Sequence, residues 1–137
     1  MQYRFLSLLI VLLIVAGCSD KFPLSGTVTF SDNGEPLPYG GVIFESDTLV
    51  AQGRIQDGKY HVGTMKEKDG IPKGTYKVTV VGTDKSEQIT RGTSGNESST
   101  EVRYRQIHAK YEDSAQSGLT FTVDGTKKQY DIKVDRP

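Results

Sequence analysis

The sequence predicts an all-β protein: a two-layer antiparallel sandwich of seven strands that follows an N-terminal export signal. Apolar and polar side chains alternate in seven short runs, and clusters of Gly, Asn, Asp and Pro separate those runs. No helical periodicity follows the N-terminal segment, and 15 glycines with no tryptophan suit a protein of strands and turns. The predicted strands span residues 26–30, 41–45, 49–55, 60–62, 75–81, 118–123 and 130–134.

The first two predicted strands each bury one face. Strand 26–30 places Val28 and Phe30 on one side and threonines on the other. Residues 31–35, Ser-Asp-Asn-Gly-Glu, form a turn because Asn and Gly tolerate the positive φ of tight turns. Strand 41–45 again places two apolar side chains, Val42 and Phe44, on one face.

Residues 49–62 are typical of a β-hairpin. Asp57-Gly58 separates strand 49–55 from strand 60–62 and supplies the positive φ that a two-residue turn requires. We expect Tyr60 to lay its ring over the edge of the sandwich with its hydroxyl in water.

A charged, solvated loop, 65–73, leads into the most regular alternating run of the chain. In strand 75–81, Tyr76, Val78 and Val80 face inward. We predict a single core formed by the inward side chains of the alternating runs, namely Val28, Phe30, Phe44, Tyr76, Val78, Val80, Leu119, Phe121 and Ile132.

Residues 83–106 interrupt the pattern with Thr, Ser, Gly, Asn and charged residues. Ile89 is the one sizeable apolar side chain between Lys85 and Glu101, so little burial offsets the entropy of ordering. We therefore expect a mobile excursion here, able to become ordered on a partner through residues 102–104. Regular alternation resumes in strands 118–123 and 130–134.

The N-terminus has the three parts of an export signal. One basic side chain, Arg4, precedes an apolar run from Phe5 that ends in small residues, and Asp20 follows soon after. A transmembrane helix needs about 20 predominantly apolar residues, so this run is too short for a stable span. We interpret residues 1–17 as a cleaved signal peptide.

The end of this segment, Val15-Ala16-Gly17-Cys18, resembles the lipobox of bacterial lipoprotein signals, with Val15 in place of the commoner Leu. The resemblance implies cleavage between Gly17 and Cys18 and acylation of Cys18, as in palmitate-bearing lipoproteins. Two or more acyl chains hold a protein on a membrane for practical purposes permanently. Cys18 is the only cysteine, so lipidation leaves no thiol for a disulfide.

The domain organisation follows from these boundaries. Residues 18–23 form a short lipid-anchored tether, and residues 24–137 form one β-sandwich domain. The chain carries 17 basic and 17 acidic side chains with no long run of either sign, which argues against nucleic-acid binding and against binding to membranes through a polybasic segment.

The order of the strand and turn residues resembles the carboxypeptidase regulatory-like, or transthyretin-like, domains, especially those of small planctomycete-type lipoproteins. The matching runs are Gly26-Thr-Val-Thr-Phe, Gly34-Glu-Pro-Leu, Gly41-Val-Ile-Phe, Gly53-Arg-Ile-Gln-Asp-Gly-Lys-Tyr60 and Gly70-Ile-Pro-Lys-Gly-Thr-Tyr-Lys-Val-Thr-Val80. The resemblance covers residues 24–82 well and 118–134 loosely. It implies a prealbumin-like Greek key and a non-catalytic surface module, and it names no ligand.

Candidate metal sites are weak. His61 and His108, the only histidines, lie far apart and would need a carboxylate such as Asp57 or Asp113 to hold zinc. Residues 32–35 offer oxygen ligands without the spacing of a calcium loop, and a turn explains them. We expect no metal and no cofactor.

The residues favour a non-catalytic interaction or structural module on the extracytoplasmic side of a bacterial cell envelope. The expected partners are the membrane, through Cys18, and a protein or glycan of the envelope. Under the sorting rule of some Gram-negative lipoproteins, which the lipobox resemblance implies, Ser19 in place of an Asp favours the outer membrane or cell surface. A carrier of a small molecule or carbohydrate is the alternative, although no tryptophan is present to line its pocket. An enzyme like the transthyretin-like hydrolases of purine breakdown is not expected, because their C-terminal Tyr-Arg-Gly-Ser motif is absent and no catalytic residues are recognised.

Overall fold

The protein is described by a computed structural model over residues 20–137. This part of the chain is all-β, as predicted, with one short 3-10 helix, η1 (Ala109–Glu112). Its strands are β1 (Lys21–Phe22), β2 (Ser25–Phe30), β3 (Tyr39–Glu45), β4 (Val50–Gln56), β5 (Lys59–His61), β6 (Ile71–Pro72), β7 (Gly74–Val81), β8 (Lys85–Arg91), β9 (Ser98–Tyr104), β10 (Leu119–Val123) and β11 (Ile132–Val134).

Seven strands form one curled sheet in the order β10-β7-β3-β4-β5-β2-β11. They correspond to the seven strands that the alternating runs predict. The prediction of a wholly antiparallel sheet is wrong at one edge, where β11 runs parallel to β2 and Ile132 lies opposite Val28. The segment before β11 explains this direction. The Ser25 N–H donates to the Lys128 carbonyl, and the Tyr130 N–H donates to the Ser25 carbonyl. These bonds bring the chain back to the start of β2, so β11 begins at the same end as β2.

The strand directions define two ends of this sheet. Strands β2, β4 and β7 begin at one end, where β3 and β10 finish: Glu45 pairs with Val50, and Val123 pairs with Gly74. We call this the tether end, because β1 lies just before β2 and pairs with β6. The opposite end, which we call the distal end, carries the chain from Gly82 to Gly118 and the C-terminus.

The core fills the interior of the curled sheet. Eight of the nine predicted core side chains are buried there, and the ninth, Leu119, is half-buried against them. The buried apolar set is Leu24, Val28, Phe30, Leu37, Val42, Phe44, Ala51, Ile55, Tyr60, Val62, Ile71, Tyr76, Val78, Val80, Ile107, Tyr111, Phe121, Val123, Ile132 and Val134.

Phe44 contacts three aromatic rings within this core. Its ring centroid lies 6.2 Å from that of Tyr60, 6.4 Å from that of Tyr76 and 6.3 Å from that of Tyr130. Separations of 4.5–7 Å are those preferred by tilted and edge-to-face aromatic pairs. Phe44 therefore joins strands from across the sheet into one packed unit.

The hydroxyl of Tyr60 does not reach water, contrary to the sequence-based expectation. The side chain is buried, and its hydroxyl donates a hydrogen bond of 2.5 Å to the Tyr130 carbonyl oxygen. Burial raises the pKa of Tyr60, so the hydroxyl stays protonated as a donor. Gly26 permits this approach, because a Cβ there would lie 1.8 Å from the Tyr130 carbonyl oxygen.

Residues 83–106 contain regular structure that the sequence analysis did not predict. Strands β8 and β9 form an antiparallel hairpin, with Lys85 opposite Tyr104 and Arg91 opposite Ser98. All its side chains are exposed except Ile89 and Val102, which are half-buried. Alternation between buried and exposed side chains is the signal for a strand, and it is weak in a ribbon that has one half-buried side chain in each strand. The mobility expected for this segment stays a prediction.

Candidate functional site

The β8–β9 hairpin extends from the distal end and presents one face with apolar side chains. The pairs Ile89–Thr100, Glu87–Val102 and Lys85–Tyr104 occupy alternate positions and so share a face. We call the surface formed by Ile89, Thr100, Val102 and Tyr104 the ribbon face. Ile89, Val102 and Thr100 also line a hollow of about 220 Å³.

The base of the hairpin is attached to the domain by specific hydrogen bonds. The Tyr39 hydroxyl donates to the Asp84 carbonyl at 3.0 Å, and the Gln106 side-chain amide donates to the Thr83 carbonyl. Thr83 itself is fully buried. The ribbon face is therefore carried on a fixed base, while both of its arms stand in solvent.

A groove of about 420 Å³ lies over strands β3, β4 and β5. Four glycines contribute to its wall, at positions 40, 41, 53 and 63, and the small size of these residues leaves room over the sheet. Arg54 and His61 also line it, so the groove is polar. Among the described residues that line it, there is no Phe, Tyr or Trp, which leaves it without the large flat ring on which a sugar stacks.

The loop that follows β5 forms the rim of this groove and is organised by one carboxylate. The Asp69 side chain accepts hydrogen bonds from the backbone N–H groups of Thr64 at 2.6 Å, Met65 at 3.4 Å and Lys66 at 3.3 Å. Lys21 in β1 donates to the same carboxylate at 2.7 Å. The Lys21 ammonium and these N–H donors hold the pKa of Asp69 well below its usual range.

This arrangement fixes a loop that the sequence analysis predicted only as solvated. The Met65 side chain stands out from it with 90% of its surface exposed. Neither Lys21 nor Asp69 was identified as a functional candidate from the sequence. The flanking Gly63 and Gly70 were the available signal for a tight loop around an Asp, whereas nothing local pointed to Lys21.

The two histidines lie in unrelated places. His61, on β5, faces the groove, whereas His108 precedes η1 and its Nδ1 accepts a hydrogen bond of 3.1 Å from the Lys110 backbone N–H. Within residues 20–137, no group of three or more His, Cys, Asp and Glu side chains is placed to hold a metal ion.

The acidic turn at residues 32–35 is occupied by a basic side chain. The Arg136 guanidinium donates to Asp32 at 2.9 Å and to Glu35 at 3.2 Å. The same guanidinium lies 3.8 Å from the centroid of the Phe30 ring. These carboxylates thus tie the C-terminus to the distal end of the sheet.

The predicted lipidation and cleavage site, Gly17 and Cys18, lies outside the described residues, as does the signal peptide, 1–17. From Lys21 onward the predicted tether is attached to the domain through β1. Across residues 20–137, no helix is long and apolar enough to cross a membrane.

Comparisons with known proteins show no family for this chain. No family model matches it, and neither does any curated protein. Among solved structures, it is similar to a 9R-lipoxygenase from Cyanothece PCC8801, with 16% sequence identity and a TM-score of 0.36. The match covers 85% of this chain and 16% of the lipoxygenase chain, so the chain spans only a small part of that protein's length.

Proposed function

We propose that the chain is a lipoprotein of the bacterial cell envelope, cleaved between Gly17 and Cys18 and anchored through lipid on Cys18. Its β domain, a transthyretin-like Greek-key sandwich, serves as a non-catalytic interaction module on the extracytoplasmic side. The observation that carries the proposal is that β1, which follows the proposed lipidation site, and the ribbon face lie at opposite ends of one sheet.

This placement suits a module that presents a surface away from its membrane. The longest sheet strand, β7, has eight residues, and strands rise about 3.3 Å per residue, so the two ends are about 25 Å apart. A lipid on Cys18 would hold the tether end at the membrane. The hairpin would then project outward, in the direction from which a protein or glycan of the envelope arrives.

The ribbon face also has the character of a docking element. A two-stranded ribbon is marginally stable by itself in water, so a partner that covers Ile89 and Val102 would stabilise it. An extended segment of a partner protein can add to such a ribbon as a third strand, with main-chain hydrogen bonds and alternate side-chain contacts.

The anchor is tested by mass spectrometry of the protein isolated from its native membranes. We expect the mature chain to begin at an acylated Cys18. The Cys18→Ser variant should remain uncleaved or be mislocalised, whereas Ser19→Ala should mature normally. An unmodified Cys18 on a chain that still starts at Met1 would refute the anchor.

The interaction is tested by a photo-crosslinking amino acid at Thr100, on the ribbon face. The matched control is the same amino acid at Ser99, one residue along β9 and on the opposite face. A crosslinked envelope component is expected from position 100 and not from position 99. Equal yields, or no adduct at either, would contradict the ribbon face as the docking surface.

The groove over β3, β4 and β5, which is polar and has a volume of about 420 Å³, supports a second candidate, a carrier of a small polar molecule. Native mass spectrometry of the purified protein would then show a bound small molecule. Gln52→Trp, which fills the groove, should displace it, and Gln56→Trp, on the same strand outside the groove, should not.

A further inference from the structure

We infer that the groove over β3, β4 and β5 binds a small organic anion, whose carboxylate or phosphate group lies against Arg54 and His61. This inference rests on the second candidate function, since it requires that the groove holds a small polar molecule. Arg54 lies on β4, and His61 ends β5. Both side chains are exposed and line the groove.

The register of the β4–β5 hairpin places these two side chains next to each other. Gln56 pairs with Lys59 across the turn. Two residues further from the turn on each strand, Arg54 therefore lies opposite His61, and a further bridge at Gly63 keeps this register. Opposite residues of an antiparallel pair share a face, with Cβ atoms about 5 Å apart. One oxyanion can thus accept hydrogen bonds from the guanidinium and from an imidazole N–H.

The other flank of Arg54 is open. Its partner on β3 is Gly41, which has no side chain to cover the guanidinium. A Cβ at position 41 would meet nothing nearer than Val81, at 3.7 Å. The body of a ligand therefore has space to lie over the sheet beside Arg54.

Arg54 is also available to a ligand. Within residues 20–137, none of the ion pairs includes Arg54. By contrast, each of three other arginines pairs with a carboxylate, namely Arg103, Arg105 and Arg136. The planar guanidinium fork matches the geometry of a carboxylate or a phosphate, so an unpaired fork in a groove suits such a group.

The side chains around Arg54 carry an excess of positive charge. A second hollow, of about 310 Å³, adjoins the groove and shares Arg54, His61 and Glu67 with it. The charged side chains that line the two hollows are four basic ones, Arg54, Lys59, Lys66 and Lys68, and two acidic ones, Asp57 and Glu67. A cleft lined by an excess of one charge attracts ligands of the opposite charge. The Glu67 carboxylate would accept hydrogen bonds from hydroxyl groups of the same ligand, which favours an organic anion over a bare ion.

The loop that borders the groove is fixed before any ligand arrives. A Cβ on Gly63 would contact the Lys66 carbonyl and lie 2.8 Å from the Lys68 nitrogen, so the loop folds back closely over the end of β5. The Asp69 carboxylate holds it there through hydrogen bonds from three backbone N–H groups. Binding therefore costs little ordering of the protein.

The test is an NMR titration of the full-length ¹⁵N-labelled protein at constant ionic strength. The probes are succinate, inorganic phosphate and succinamide, the neutral counterpart of succinate. We expect saturable shifts of the Arg54 Nε–H and Gln52 side-chain amide signals with one or both anions, at a Kd of about 1 mM or tighter, and none with succinamide. A response to only one anion identifies the bound group as a carboxylate or a phosphate.

Two arginine variants test the position of the site. Arg54→Gln, followed at the Gln52 amide, should weaken anion binding about tenfold or more, because charge-assisted hydrogen bonds are lost. The matched control is Arg91→Gln, at an exposed arginine of the β8–β9 hairpin, which should bind as wild type does. Circular dichroism checks that each variant is folded. Equal weakening by both variants would indicate general charge attraction and would overturn the site.

The outcomes separate the anion from the carrier candidate itself. Succinamide that binds as tightly as succinate, or the absence of saturable shifts with either anion, overturns the anionic ligand. Native mass spectrometry of the same protein then decides the carrier candidate. A bound neutral molecule that Gln52→Trp displaces would retain a carrier of a polar molecule, whereas no bound molecule and no saturable shift would contradict both.

Discussion

The Lys21 ammonium lies 2.7 Å from the Asp69 carboxylate, although 48 positions separate the two residues in the sequence. Both side chains are only about one-fifth exposed, at 22% and 19%. The same carboxylate organises the loop that presents Met65, so one ion pair connects the tether to the rim of the groove. The position of β1 against the domain and the shape of that loop thus depend on a common contact.

The Asp69 carboxylate should make the free energy of unfolding fall as the solution becomes acidic. Its pKa is lowered from the ordinary value of 3.8, chiefly by the Lys21 hydrogen bond. A lowered pKa in the folded state means that the stabilisation is complete above the unfolded value and is lost as the pH falls below it. Wild type should therefore be more stable than Asp69→Asn at pH 7, and the difference should shrink as the pH falls below about 4.

Urea denaturation of both proteins between pH 7 and pH 2 measures this difference. The matched control is Asp84→Asn, because the Asp84 side chain is exposed whereas that of Asp69 is about four-fifths buried. A wild-type advantage that is constant down to pH 2 would show that the Asp69 charge is not the cause.

Phe44→Ala should lower the free energy of unfolding by about 3–5 kcal/mol, because a fully buried ring is replaced by a cavity. Val50→Ala, at an exposed position of β4, should change it by less than about 0.5 kcal/mol. Chemical denaturation midpoints of the two variants provide the comparison. Equal denaturation midpoints for the two variants would contradict a central role of Phe44 in the core.

Gly26→Ala should destabilise the domain by about 3 kcal/mol, since its Cβ would lie 1.8 Å from the Tyr130 carbonyl oxygen and backbone would have to move. The matched control is Gly41→Ala, where the Cβ would meet its nearest neighbour at 3.7 Å, an ordinary contact. Thermal unfolding distinguishes them. If the Gly26→Ala protein were as stable as the Gly41→Ala protein, the Tyr130 carbonyl could not lie as close to Gly26 as described.

Replacing residues 85–104 with a short Gly-Ser linker should leave the melting temperature nearly unchanged. The hairpin buries little, and its hydrogen-bonded base at Thr83, Asp84 and Gln106 stays in place. Amide exchange in the intact protein tests the predicted mobility, because exchange faster in β8 and β9 than in β7 is expected. A marked fall in melting temperature would show that the hairpin supports the fold.

The seven strands of the sheet were predictable from the sequence because alternation is a local property. Apolar side chains occupy every second position in β2, at Val28 and Phe30, and in β7, at Val78 and Val80. Side chains two positions apart lie on the same face of a strand, so each strand has one apolar face to bury. The turn at Asp57-Gly58 was equally local, since both residues adopt positive φ there. Composition also correctly described the hairpin as a segment with little to bury.

Pairing partners and convergent side chains were decided only by the tertiary structure. The parallel return of β11 to β2 depends on contacts made across more than a hundred residues, which no local pattern encodes. The Tyr60 hydroxyl reaches the Tyr130 carbonyl, and Lys21 reaches Asp69, because the curled sheet brings distant segments together. Strand directions place β1 and the β8–β9 hairpin at opposite ends of the sheet, and that separation arises only once the sheet is assembled.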